Sequence, residues 1–365
     1  MMSLLVFEGG LPESPVEGWL SEIRSRMAEN LIAMALETGE FDDAFLLTDK
    51  DLEVSQAVEL IRSRPEGHFH FGAALQGILK EKVRGGFCYF SGGSAQLLGS
   101  QGIAEFARLV RQADGGIVAN NAFSADFFGS TDRAPFLCGE LPPQDNSVPI
   151  YISERQRVAL KPLPFSPEAS FDVDTPTDAL VLSMQPGCPA SVRDAIKRPI
   201  PGVPAGRMEL VIGRLERMRG LMAADFSDIT LAGRVGPAAV QELNRTTRCR
   251  YRVFSEERGM RSFGRDEEGT ARTIMAELAK ERGEDGLLGL LMGQTEGLLF
   301  DDRVLFAASG ARPDAQQRYL SDILAWEALP DGLPARLAKA ALDTEGVSLG
   351  GHSLVNSGAV LISKH

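Results

Sequence analysis

A short apolar run, residues 3–7, stops at Glu8-Gly9-Gly10 and is followed at once by Ser14-Pro15-Val16-Glu17, a capping box with proline at the first helical position. Trp19, Ile23, Met27 and Leu31 then recur every four residues up to Gly39, the spacing of one buried helix face. Strand, glycine loop and helix in that order leave few folds open. The alternation continues with a strand over 44–48, helices over 52–61 and 73–82, a strand over 86–90, a helix over 101–112 and a strand over 116–119. Such a series predicts an α/β domain whose mostly parallel sheet is covered on both faces. On sheets of this kind ligands sit beyond the carboxyl ends of the strands. Gly9-Gly10, Gly92-Gly93-Ser94, Asn120-Asn121 and the acids of residues 170–178 are all expected there.

With 365 residues, 44% hydrophobic and 24% charged, the chain is long enough for two cores of ordinary globular composition. Residues 185–206 hold five prolines around one short helix and read as a linker. The domains are therefore placed at 1–184 and 207–365. The second also reads as α/β: a helix over 208–223, a strand over 228–232, Gly233-Arg234-Val235-Gly236-Pro237 opening a helix to Thr246, a strand over 249–254 and a helix over 267–282. A glycine-rich apolar part at 286–293, a hairpin around residues 300–303 and a helical stretch to Gly350-Gly351-His352-Ser353 complete it.

The net charge of −12 argues against a nucleic-acid partner, because a polyanion would have to overcome the repulsion. No apolar run is long enough to cross a bilayer, and Cys88, Cys138, Cys188 and Cys249 are widely spaced with no Cys-x-x-Cys pair. A cytoplasmic protein with reduced thiols is expected, and the assembly expected, if any, is a homodimer.

Chemistry concentrates in Ser170-Phe171-Asp172-Val173-Asp174-Thr175-Pro176-Thr177-Asp178. An extended Asp-Val-Asp turns both carboxylates to one side, and Thr175-Pro176 opens a helix with Asp178 in its first turn. Asp172 and Asp174 together suit a hard cation such as Mg²⁺, which takes one or two carboxylates plus water and phosphate oxygens. Helix capping by Asp174 or Thr175 accounts for the same residues without a metal. Elsewhere, Asn120, Asn121, Ser124 and Asp126 offer donors and acceptors to a small second substrate, and Asx turns explain them equally. His68 and His70 lack a third ligand for zinc. Arg248, Arg250 and Arg252 share one strand face, as a phosphate grip or a solvated surface. His352 with Asp301 or Asp322 makes a candidate acid/base pair, without a Gly-x-Ser-x-Gly elbow beside it.

The Asp172-Val173-Asp174-Thr175-Pro176-Thr177-Asp178 segment resembles the Asp-x-Asp-Thr-Pro-x-Asp signature of the molybdenum-cofactor guanylyltransferase-like group, within the nucleotide-diphospho-sugar transferase (GT-A) superfamily. The likeness covers about the first half of the chain. It implies a Rossmann-like GT-A domain in which Asp172 and Asp174 hold Mg²⁺, and Gly9, Gly10, Arg26, Gly72, Gly92, Gly93 and Ser94 meet the nucleotide. A nucleotidyl group would pass from a nucleoside triphosphate to a small phosphorylated or hydroxylated acceptor, releasing pyrophosphate. The sequence departs from the pattern in two places: Leu11-Pro12-Glu13 follows the glycine pair, with no lysine at the usual spacing, and Gly92-Gly93 stand where relatives carry a metal-binding aspartate. A silent nucleotide- or nucleotide-sugar-binding protein and a GT-A glycosyltransferase are the alternatives.

Overall fold

The structure, a computed structural model, describes residues 1–52, 54–63, 69–261 and 264–364. Its chain forms two compact units, Met1–Leu11 with Ser21–Asp172, and Pro12–Leu20 with Val173–His365. His68 lies outside the described residues.

The first unit contains β1 (Met2–Phe7), most of α1 (Pro15–Glu37), β2 (Asp43–Thr48), β3 (Val58–Arg62), α2 (Phe71–Glu81), β4 (Gly86–Ser91) and α3 (Gly99–Gln112). After these come β5 (Ile117–Ala119), β6 (Phe127–Ser130), α4 (Val148–Gln156), β7 (Leu160–Pro162) and α5 (Pro167–Ser170). The seven strands lie in the order β3-β2-β1-β4-β6-β5-β7. Only β6 runs against its neighbours β4 and β5. Alternate residues of β1 feed two cores: Leu4 and Val6 pack with Leu31, Phe90 and Phe106, while Leu5 and Phe7 pack with Leu75, Tyr89 and Ile152. Such two-sided burial is what the unbroken apolar runs of β1 and β4 require, each buried side chain contributing about 1.5–3 kcal/mol. The helix expected over 52–61 is instead the parallel strand β3, in which Val58 and Leu60 alternate beside β2. The short strands β6 and β7 carry too few residues to show a period, and escape a reading by pattern.

The second unit holds α6 (Pro176–Ser183), α7 (Ala190–Ile196), α8 (Arg207–Ala223), β8 (Asp228–Gly233), α9 (Pro237–Thr246), β9 (Arg250–Ser255) and α10 (Ile274–Met292). Next are β10 (Gly297–Asp301), α11 (Arg303–Ala308), α12 (Ala315–Asp322), α13 (Leu333–Asp343), β11 (Val347–Gly350) and α14 (Ser357–Ser363). Four parallel strands lie in the order β11-β10-β8-β9. The hairpin expected near residues 300–303 is therefore a strand running into a helix: Phe300 pairs in parallel with Ala232 and Leu349, and Arg303 begins α11. The apolar part at 286–293 is the second half of α10, which bends at Gly283 (φ 74°).

The sequence sets the domain boundary at 185–206, whereas the units divide at Asp172/Val173. Residues 185–206 belong to the second unit: Val192, Ile196 and Ile200 are buried, Gln185 Nε2 donates to the Leu361 carbonyl, and Arg193 donates to the carbonyls of Gln185 and Cys188. The prolines shape a packed connector rather than a solvated tether.

Candidate functional site

In the first unit the chain leaves β1 for β2 and β3 on one side and reaches β4 on the other, so the strand order reverses between β1 and β4. Loops at the carboxyl ends of these two strands lie where sheets of this kind take ligands. Glu8 stands there with its side chain fully buried, between Lys50 (Nζ to Oε1, 2.5 Å) and Arg24 (Nε to Oε2, 3.2 Å). Gly92 passes directly over it. A β-carbon at position 92 would lie 2.5 Å from Glu8 Oε2, so only glycine fits. Beside Gly9, the Gly10 N–H donates to the Asp49 carboxylate (3.1 and 3.2 Å), which occupies a place where a phosphate oxygen could bind. Glu8 and Asp49 were not singled out by sequence; the one signal is a charged residue directly at a buried strand's end.

Past Gly93, the Ser94 hydroxyl donates to the Ser91 carbonyl (2.8 Å), and Ser94 forms an antiparallel bridge with Asp172. Asp172 of the acidic motif is thereby brought to the glycine turn after β4. Asn120 is buried: its Oδ1 accepts from the Asp126 N–H (2.9 Å) and its Nδ2 donates to Asp126 Oδ2 (2.9 Å) and the Ala169 carbonyl (3.0 Å). Asn121 Oδ1 accepts from the Phe123 N–H (2.9 Å), an Asx turn, and Ser124 Oγ accepts from Asn146 Nδ2 (3.1 Å). Next to Ser94, both ends of the buried Gln96 carboxamide lack a hydrogen-bond partner among the described residues.

Other expected nucleotide contacts are engaged elsewhere. Arg26 pairs with Glu22 and Glu29 along α1 (both 3.1 Å). The Gly72 N–H donates to the Pro142 carbonyl (3.1 Å), and a β-carbon there would lie 2.5 Å from that of Leu141. His70 caps α2, its Nδ1 accepting from the Ala73 N–H (3.2 Å).

Asp174 belongs to the second unit, where its N–H donates to Asp178 Oδ2 (3.3 Å). Thr175 and Asp178 close a capping box for α6. Asp178 is fully buried, with Oδ1 lacking a hydrogen-bond partner among the described residues; desolvation first, and the charges of Asp174 and Asp322, push its carboxyl up to about 8. No group of three or more His, Cys, Asp or Glu side chains that could hold a metal ion occurs among the described residues. Mg²⁺ does not require one, because it retains waters and leans on substrate phosphates, and Asp172 beside Ser94 suits that mode.

The second sheet also reverses its order once, between β8 and β10. At those carboxyl ends Asp301 grips Arg234 in a fork (Nε to Oδ2, 2.6 Å; Nη2 to Oδ1, 3.0 Å). Gly233, at φ 113°, is held against Asp301, whose Cβ would lie 2.6 Å from a β-carbon there. Arg303 is forked to Asp322 (2.8 and 2.7 Å) and also bonds Asp302. All three aspartates are fully buried. Burial pushes Asp302 up to about 8 against the opposing charge of Arg303, and raises Asp322 likewise. For Asp301, burial is outweighed by Arg234, and the carboxyl lies below its ordinary range. The expected pairing of His352 with an acid takes a different form: Arg234 and Arg303 bond Asp301 and Asp322, and no hydrogen bond joins the imidazole to either among the described residues. Desolvation and the Arg234 charge draw His352 down to about 4. His352 is an exposed residue, and the lowered value leaves its ring neutral at pH 7. Of the expected arginine row, only Arg250 and Arg252 lie on β9, where they pair with Asp228 (2.7 and 2.6 Å); Arg248 precedes the strand and pairs with Asp225 (3.2 Å), so the surface is balanced.

The sequence matches no protein-family model and no curated protein. Among the described residues no helix is long and apolar enough to cross a membrane.

Proposed function

We propose that the first unit is a GT-A-like nucleotide-binding domain of the nucleotidyltransferase class, acting on a nucleoside triphosphate and a small phosphorylated or hydroxylated acceptor. The observation that carries this reading is the bridge between Ser94 and Asp172, which sets the acidic motif against the glycine turn at the sheet's reversal point. Asp172 is the residue that would hold Mg²⁺, and the cation would supply charge stabilisation at the phosphates. The glycine turns at Gly9-Gly10 and Gly92-Gly93 let main chain approach the nucleotide, and Asp126, fixed by Asn120, borders the acceptor. No covalent nucleophile is needed, since positioning and electrostatics supply the rate in such transfers.

A specific observation favours a second reading, binding without turnover. The Asp49 carboxylate sits on the Gly10 N–H, and Lys50 and Arg24 are both drawn to Glu8, so the loop after β1 offers a triphosphate little uncompensated positive charge. Calorimetry with the four common triphosphates, with and without Mg²⁺, tests the shared part: metal-dependent binding that Asp172→Asn abolishes supports the site, and binding indifferent to that change rejects it. Pyrophosphate release from a triphosphate then separates transferase from binder.

A further inference from the structure

The second unit's reversal point carries a built arrangement that the nucleotidyltransferase reading does not use. Asn356 joins two of its loops: Oδ1 accepts from the Gly236 N–H (2.5 Å), while Nδ2 donates to the carbonyls of Arg234 (3.0 Å) and His352 (2.8 Å). One amide nitrogen thus fixes Arg234, after β8, beside His352, after β11. A third loop, after β9, is tied in by the Glu256 N–H to the Gly233 carbonyl (2.9 Å) and is stiffened by Glu257, which pairs with Arg265. It carries Arg258, an exposed residue two positions after Glu256 and the smallest of the charges that lower His352.

The donors at this edge are unusually idle. The Arg234 side chain is only 11% exposed, and its fork to Asp301 uses Nε and Nη2, leaving Nη1 without a hydrogen bond among the described residues. Neither the His352 ring nor the Arg258 guanidinium has a hydrogen-bond partner among those residues. Gly236 gives α9 no side-chain cap and Pro237 has no N–H, so the Ala238 and Ala239 N–H groups are also unspent. The charged groups that act on His352 are Arg234, Arg258, Asp301 and Asp174. Asp301, the larger of the two acidic influences on His352, is forked to Arg234.

We propose that the carboxyl edge of the second sheet is a phosphate-binding site, in which Arg234, His352 and Arg258 hold the phosphate group of a small phosphorylated metabolite at the start of α9. Asp301 and Asn356 are its positioning residues. The neutral imidazole donates one hydrogen bond, Arg234 offers its spare Nη1 and Arg258 supplies the charge, a combination that matches a phosphate monoester better than a neutral polar ligand.

Calorimetry of the full chain with inorganic phosphate and with glycerol 3-phosphate, in Mg²⁺-free buffer, tests this. Both probes are expected to bind, about tenfold more weakly in Arg258→Ala and in His352→Gln at unchanged thermal midpoint. Arg248→Ala, which removes the same charge from an exposed position just before β9, is expected to leave binding intact, as is Asp172→Asn. Equal losses in Arg248→Ala and Arg258→Ala would reduce the effect to net charge and overturn the site; so would absence of phosphate binding by the wild type. In the unmutated protein, phosphate is expected to slow acylation of His352 by diethyl pyrocarbonate, read by peptide mass spectrometry, and not that of His70. Unchanged acylation at His352 counts against the proposal. Because Asp172→Asn separates the two units' ligands, failure here and failure of the nucleotide reading are distinguishable.

Discussion

Each sheet has a point where the chain turns from one side of its first strand to the other, and each places buried charge there, but the two handle it differently. In the first unit a single carboxylate, Glu8, lies between two cations, Arg24 and Lys50. In the second, Asp178, Asp301, Asp302 and Asp322 are buried with Arg234 and Arg303, an acid excess met by retaining protons on Asp178 and Asp302. The lesson is that the topology fixes where charge collects, whereas local residue supply decides whether it is neutralised by ion pairing or by protonation.

The sharpest way to break this comparison is Arg303→Met, which strips Asp302 and Asp322 of their shared cation. A loss of about 3–5 kcal/mol is expected for the second unit. Trp19 and Trp326 both belong to that unit, so tryptophan fluorescence in urea reports on it directly. A loss below about 1 kcal/mol would show that the cluster reaches water, as surface pairs do.

Glu8→Gln is the matching change in the first unit. Arg24 and Lys50 keep 22% and 10% of their side chains exposed and can turn outward, so a smaller loss, about 2 kcal/mol, is expected. Hydrogen exchange at the amides of β1 and β4 measures it. Loss equal to that of Arg303→Met would erase the distinction.

A third test uses pH. Asp178 titrates near 8 when folded and near its ordinary value, 3.8, when unfolded, so the folded state holds the extra proton between these limits. Its contribution to stability is therefore full below about pH 4, declines by about 1.4 kcal/mol per pH unit on the way to pH 8, and is flat above. Asp178→Asn, an uncharged isostere that still accepts from the Thr175 N–H, is expected to remove one proton's share of that decline in urea titrations from pH 5 to 8. Identical slopes in the two proteins would place Asp178 in its ionised form.

The α/β class and the two-sided burial of β1 and β4 were legible because runs such as residues 3–7 and 86–90 and the four-residue spacing of Trp19, Ile23, Met27 and Leu31 are local signals. The helix start at Thr175-Pro176, with Asp178 in its first turn, was equally local, whereas the bridge from Asp172 to Ser94 joins residues far apart in the chain. Strands β6 and β7 were too short to show a period, and residues 52–61 mixed polar and apolar positions in a way that suits either a helix or an edge strand.

What the amino-acid order determined by itself is the series of elements and the positions of their loops, since backbone propensity and side-chain period act over a few residues. Which charged groups meet is different in kind. Glu8 with Lys50, Arg234 with Asp301, and Asn356 with Gly236 are separated by 42, 67 and 120 residues. Those encounters depend on strand order, and strand order is set by the packing of whole sheets and helices rather than by any segment's own sequence.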